Sequence, residues 1–184
     1  MSLRKAFPAL FGVLEYRGIQ TPDANKLVGI QDHIVFVYGT LKRGHRNSGL
    51  LASSKYLGPA KTAFHHFEMV NSSLGYPIVF SGGVRADRSG FVDGEAYAVD
   101  LTTLAKLDHL EGNPSFFKRE KTSICLKSQI LMSSNTPVIV QAFMYTGQHR
   151  MDHFEIHPRA FRHDTDTQKA TWCYKWYPAD EKES

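Results

Sequence analysis

The residue with the clearest chemical potential is Glu111. It closes the run Leu101-Thr-Thr-Leu-Ala-Lys-Leu-Asp-His-Leu-Glu111 and is followed by Gly112. Asp100 before the run is a good N-cap and Gly112 a good C′ residue, so the pattern predicts a helix over 101–111. At about 100° per residue, Leu101, Leu104, Leu107 and Leu110 form one stripe, with Thr102, Lys106 and His109 opposite. Glu111 falls between Leu104 and Leu107 in angular position, near the centre of the apolar stripe. Its carboxyl therefore faces the core. Burial disfavours the ionised carboxylate and raises its pKa. The negative end of the helix dipole acts in the same direction. Such a group is suited to accepting and returning a proton near neutral pH. Two structural alternatives stand beside this reading: Glu111 frays outward at the helix end, or it pairs with Lys118 or Arg119.

A second segment of interest is Tyr38-Gly39-Thr40-Leu41. It follows the β-rich run 33–37, and a second glycine stands at 44. Gly39 and Gly44 have the spacing of a phosphate-binding loop. That loop needs Lys and then Ser or Thr next, and here the residues are His45 and Arg46, which excludes it. A glycine at a strand end can still gather backbone N–H groups into a concave nest for an anion or a carbonyl oxygen. A simple turn is the alternative. His149, His153 and His157 are spaced by four, but Pro158 follows directly and no fourth ligand is placed to close a site. No metal is expected. Trp172, Tyr174, Trp176 and Tyr177 read as packing aromatics rather than a base-stacking platform.

The elements that must position these groups are mostly strands. Residues 33–37 read as a buried first strand, and 47–56 as a short helix ended by Gly58-Pro59. Further strand candidates lie near 62–70, 76–80, 92–99, 121–131 and 137–145. Turn signals at Ser81-Gly82-Gly83, Ser89-Gly90 and Ser133-Ser134-Asn135 separate them. Only the helix at 101–111 interrupts this series strongly. The fold class expected is α+β, built on an antiparallel, barrel-like sheet.

Composition is that of a globular chain. Of 184 residues, 42% are hydrophobic and 22% charged, which argues against global disorder. The net charge of +4 is spread along the chain. The densest basic segments, Lys42-Arg43-Gly44-His45-Arg46 and Lys118-Arg119, are not the stripe of a nucleic-acid binder. Apolar runs such as Ile34–Val37 and Val138–Val140 are strand-sized, so no membrane association is expected. Cys125 and Cys173 are too few for a disulfide framework and read as reduced packing residues, which fits a cytoplasmic protein. The N-terminus carries Arg4 and Lys5 with no acid before Glu15, but is short of Arg and Ser for a mitochondrial presequence.

Several segments together carry a family resemblance. They are Val35-Phe-Val-Tyr-Gly-Thr-Leu-Lys-Arg-Gly44, Tyr76-Pro-Ile-Val79, Gly94-Glu-Ala-Tyr-Ala-Val-Asp100 and Leu107-Asp-His-Leu-Glu-Gly-Asn-Pro114. Phe117-Lys-Arg119 and Gln141-Ala-Phe-Met-Tyr145 continue the series, with a fainter echo at Tyr177-Pro178. In this order they resemble the γ-glutamyl cyclotransferase superfamily, and within it the γ-glutamylamine cyclotransferase, AIG2-like branch. The resemblance implies a small closed, mostly antiparallel β-barrel with flanking helices. It covers roughly residues 34–150; the organisation expected is a single domain over 33–180 that includes a poorly assigned C-terminal tail, with 1–32 as an N-terminal extension. The resemblance assigns Glu111 as the catalytic residue and Tyr38, Gly39, Thr40 and Leu41 as the substrate-binding segment. Relatives often carry Tyr six residues after the catalytic Glu, where this chain has Phe117.

The reaction implied is cleavage of a γ-glutamyl amide by ring closure. The substrate's own α-amine attacks its γ-carbonyl, giving 5-oxoproline and a free amine, with no metal or organic cofactor. The substrate expected is a γ-glutamylamine such as ε-(γ-glutamyl)lysine. Alternatives are a cyclotransferase for other γ-glutamyl amino acids, or a non-catalytic binding module of the same fold.

Overall fold

The run His33–Val37 forms β1 and is buried at four of its five positions. From Ile34 to Val37 its residues are apolar because both of its faces are covered. Ile34 and Phe36 enter one buried cluster, Val35 and Val37 another. The structure is a computed structural model that describes residues 32–72, 74–81, 89–127, 138–148 and 172–176. In chain order these residues form β1, a 3-10 turn (Ser48–Leu51), β2 (Lys55–Thr62), β3 (Phe67–Asn71) and β4 (Pro77–Ser81). Then come β5 (Gly90–Val99), α1 (Leu101–Leu110), β6 (Phe117–Leu126), β7 (Val138–Gly147) and β8 (Trp172–Tyr174).

Five strands close on themselves in the order β1-β7-β6-β2-β5, with β5 returning to β1. Closure removes the open edges that an antiparallel sheet otherwise exposes. Among the described residues only β1–β7 and β5–β8 are parallel; the other pairings are antiparallel. The barrel interior draws Phe36, Ala60, Ala96, Ile124 and Met144, one from each strand. The second cluster lies outside this wall, where Leu104 and Leu107 of α1 cover Val35, Val37, Val99 and Tyr145. The hairpin β3–β4 joins through Phe67 and Gly90, and β8 runs beside Gly90–Val92.

The closed, mostly antiparallel α+β barrel agrees with expectation, with one α-helix among the described residues rather than several. Three local readings need correction. The predicted helix at 47–56 is a single 3-10 turn, after which β2 runs straight through Gly58-Pro59. Those residues read as breakers, but they mark a bulge: the register against β5 shifts between Tyr56 and Gly58, and Gly58 has φ +121°. The candidate strand at 62–70 is two strands, because the chain bends over Ala63–His65 before β3. On α1 the buried face is Thr103, Leu104 and Leu107, while Leu101 and Leu110 are 66% and 41% exposed. They sit on opposite flanks of the stripe, and the barrel wall is wide enough to cover only its centre.

Candidate active site

The geometry of the site begins with how α1 stops. Asp100 caps the start, its Oδ1 accepting from the Thr103 N–H at 2.7 Å. At the other end Gly112 adopts φ +61°. Its N–H donates to the His109 carbonyl at 3.2 Å, and the Asn113 N–H reaches back to the Asp108 carbonyl at 2.9 Å. This pair of bonds is the Schellman arrangement, which favours glycine at its left-handed position. The Phe117 N–H then donates to the Glu111 carbonyl at 3.2 Å, so the chain entering β6 is tied to the helix end.

Asp108 docks this helix end on the barrel. It accepts from Arg119 Nη1 and from the Tyr145 hydroxyl, each at 2.7 Å, and from Asn113 Nδ2 at 3.2 Å. Arg119 also lies 4.8 Å from the Phe143 ring centroid. Lys118 pairs with Glu120 at 2.8 Å. Both cations that were alternatives for Glu111 are thus engaged elsewhere, and the cap holds Glu111 inward rather than frayed. No described residue donates a hydrogen bond to its half-buried carboxyl. Burial without a partner raises its pKa from the ordinary 4.5 to about 7. No charged side chain is needed for that rise.

The opposite wall is the chain that leaves β1. The Tyr38 hydroxyl donates to the Tyr145 carbonyl at 2.7 Å. Burial, and then the negative charge of Glu111, raise the pKa of this phenol far above its usual range, so it stays protonated. The Gly39 carbonyl accepts from the Lys42 N–H at 3.0 Å, and the Thr40 carbonyl from the Asn47 N–H at 3.0 Å. Asn47 Nδ2 also donates to Thr40 Oγ1 at 2.9 Å. The loop therefore spends its carbonyls internally. The N–H groups of Gly39, Thr40 and Leu41 make no hydrogen bond to a described residue, as a nest requires. Gly39 is needed for space rather than for its φ: a Cβ there would stand 2.8 Å from Pro77 Cγ.

These two walls face one cavity of about 230 Å³, lined by Tyr38, Gly39, Thr40, Leu41 and Glu111. Phe36, Val37, Arg46, Asn47, Tyr76, Pro77, Leu110, Phe116, Phe117 and Tyr145 complete the lining. All five residues singled out in the sequence are brought together. Glu111 is the one carboxyl among the described residues of the lining, and a single carboxyl is not a metal-ligand set.

A family model described as gamma-glutamyl cyclotransferase, AIG2-like, matches residues 35–152. The chain belongs to that family. A Methanocaldococcus jannaschii protein bearing a provisional γ-glutamylcyclotransferase name is 39% identical over 95 residues, covering 51% of this chain and 73% of that one. Human γ-glutamylaminecyclotransferase is 32% identical over 124 residues, covering 61% of this chain and 77% of the human protein. The crystal structure of a Mus musculus AIG2-like protein superposes with a TM-score of 0.56 at 22% identity, over 83% of this chain and 99% of that one. This last likeness bears on the fold.

Set in that family, the cavity also shows which residues sequence reasoning missed. In the sequence Asp108 stands out only within the helix motif, and Tyr145 only within a strand and a family-like segment. Their roles depend on Arg119 and on α1 meeting β7, which no local pattern reports. Phe117 is buried in the wall and brings no hydroxyl. The basic segment 42–46 is one feature in the sequence, yet the fold separates its members. Lys42 is buried with Nζ donating to the Trp176 carbonyl at 2.8 Å. Arg43 lies 4.6 Å from the Tyr56 ring centroid, and its N–H donates to Glu95 Oε2 at 2.9 Å. The His45 ring is 5.2 Å from that of Trp176. The tail aromatics thus pack, in part, against the exit of the loop. Cys125 and Cys173 are free thiols. His149, His153, His157 and Tyr177-Pro178 lie outside the described residues, as do residues 1–31. No helix among the described residues is long and apolar enough to cross a membrane.

Proposed function

We propose that this protein is a γ-glutamylamine cyclotransferase acting in the cytoplasm, with Glu111 as its catalytic acid/base and Tyr38–Leu41 as its substrate-binding segment. The observation that carries the reading is the pairing, across one cavity, of an unpartnered carboxyl with a loop whose N–H groups are free of described partners. Family membership and the human relative's name support the substrate class.

The chemistry follows from that pairing. The substrate's α-ammonium gives a proton to the Glu111 carboxylate. The freed amine attacks the γ-carbonyl carbon, and a five-membered ring forms. Charge gathers on the carbonyl oxygen, where N–H groups of the 39–41 segment stabilise it. As the C–N bond to the leaving amine breaks, Glu111 returns the proton to that nitrogen, and the ring nitrogen sheds its second proton, which departs with the amine as an ammonium ion. The products are 5-oxoproline and the free amine, and Glu111 is restored. A carboxyl with a pKa near the working pH suits both transfers. Ring closure is intramolecular, so most of the catalytic advantage lies in holding the substrate curled. No step calls for a cofactor.

The test is release of 5-oxoproline by purified protein from ε-(γ-glutamyl)lysine and from a set of α-linked γ-glutamyl amino acids. The γ-glutamylamine reading expects turnover of the first above the others. Preference for the α-linked compounds would move the protein to a sister activity. Release from none would make it a binding module.

A further inference from the structure

We infer that Arg46 selects the leaving group: it recognises γ-glutamyl amides whose departing amine carries a carboxylate. This rests on the cyclotransferase reading and adds to it the chemistry of the outer half of the substrate.

Four observations converge. First, Arg46 is the member of the basic segment 42–46 that lines the Glu111 cavity, whereas Lys42, Arg43 and His45 pack against Trp176, Glu95 and Tyr56. Second, no described acid pairs with it, and Glu111 is the one acid of the cavity lining. Third, its backbone is held on both sides. The His45 N–H donates to the Lys42 carbonyl at 3.1 Å, the Ser48 N–H to the His45 carbonyl at 3.0 Å, and Asn47 binds Thr40 twice. The guanidinium is thus presented from a fixed turn. Fourth, Arg46 is exposed, and so are Leu110 and Phe116 of the same lining.

Orientation follows from the reaction. The α-amine and γ-carbonyl must reach Glu111 and the 39–41 N–H groups. The leaving amine therefore points to the solvent-exposed side, where it departs. There Leu110 and Phe116 offer an apolar surface for an aliphatic stem, and Arg46 offers a planar fork matched to a carboxylate. An amino acid attached through an aliphatic side-chain amine fits this sequence of contacts. A plain alkylamine or diamine lacks the group that Arg46 reads.

The experiment compares ε-(γ-glutamyl)lysine with the mono-γ-glutamyl amide of 1,5-diaminopentane, which differs by the carboxylate alone. Arg46→Gln should raise KM for the lysine compound about ten-fold, the size of one charge-assisted hydrogen bond, with kcat kept. It should leave the diaminopentane compound unchanged, and Arg46→Lys should restore part of the loss. Equal losses on both substrates would mean that Arg46 reads the glutamyl carboxylate, and would overturn the inference. So would no loss on either. Calorimetric titration of both compounds into Glu111→Gln protein, with and without Arg46→Gln, separates this claim from the cyclotransferase reading. A carboxylate-dependent difference in Kd that Arg46→Gln abolishes, in a protein whose parent releases no 5-oxoproline, would keep the Arg46 assignment and sink the catalytic one. The reverse pattern, turnover without that difference, would sink the Arg46 assignment alone.

Discussion

Asp108 and Glu111 leave the same helix three residues apart, and the fold treats them in opposite ways. Asp108 is given an arginine, a tyrosine hydroxyl and an asparagine amide. Glu111 is turned into a cavity and given no described donor. One acid is spent on docking the helix end to β6 and β7. The other keeps a raised proton affinity because it is largely buried and no described donor pairs with it. The Schellman turn at Gly112 makes this division possible, since it reverses the chain immediately after Glu111 and brings Asn113 back onto Asp108. Burial is therefore useful at Glu111 because the neighbouring acid absorbs the nearby positive charge.

The largest expected effect separates the two acids by rate. Glu111→Gln keeps size and hydrogen-bonding capacity but cannot carry a proton. Turnover of ε-(γ-glutamyl)lysine should fall by about 10²–10⁴-fold. Folding should survive. Because the folded-state pKa of Glu111 is raised from 4.5 to about 7, its stabilising contribution is complete below the lower value and is lost as pH rises through the higher one. The Gln variant does not titrate there, so its melting temperature relative to the parent should climb across that window and level off above it. A Gln variant that fails to fold would make Glu111 a structural acid.

Asp108→Ala should show the opposite balance. It removes the partner of Arg119 and of the Tyr145 hydroxyl at a half-buried position, with an expected loss of about 2 kcal/mol. At this chain length that is a fall of roughly 4–8 °C in Tm, read by a thermal melt at neutral pH. An unchanged melt would remove the docking role. A smaller effect, confined to binding, is expected at Gly39→Val. The added side chain meets the Pro77 ring, whose atoms cannot swing aside, and pushes the loop from its place. Affinity for 5-oxoproline should weaken about ten-fold, the scale of one lost hydrogen bond to a charged group. Equal affinity in the variant and the parent would free the loop from any part in binding.

The frame around Glu111 was legible because its signals are local. Asp100, Gly112 and the spacing of Leu104, Leu107 and Glu111 act within one helix. The strands β1, β4, β5 and β7 were legible through their apolar, β-branched runs. What stayed hidden depends on partners distant in sequence. β2 became a strand because β5 and β6 flank it, and Gly58-Pro59 shaped a bulge instead of ending an element. Lys42 and Arg46 look alike in a basic run, but Lys42 meets a carbonyl 134 residues away while Arg46 meets the cavity. Leu101 and Leu110 fit a helical stripe, and only the width of the barrel wall left them exposed.

The most direct measurement is the titration of Glu111 itself. The carboxyl carbon resonance of ¹³C-labelled glutamate in the folded protein, assigned by its absence in Glu111→Gln, should titrate at about 7. The pH dependence of kcat/KM should contain the same inflection. A midpoint at the ordinary 4.5 would contradict the account, because it would mean that water or an unseen donor solvates the carboxylate and that burial does not set its proton affinity.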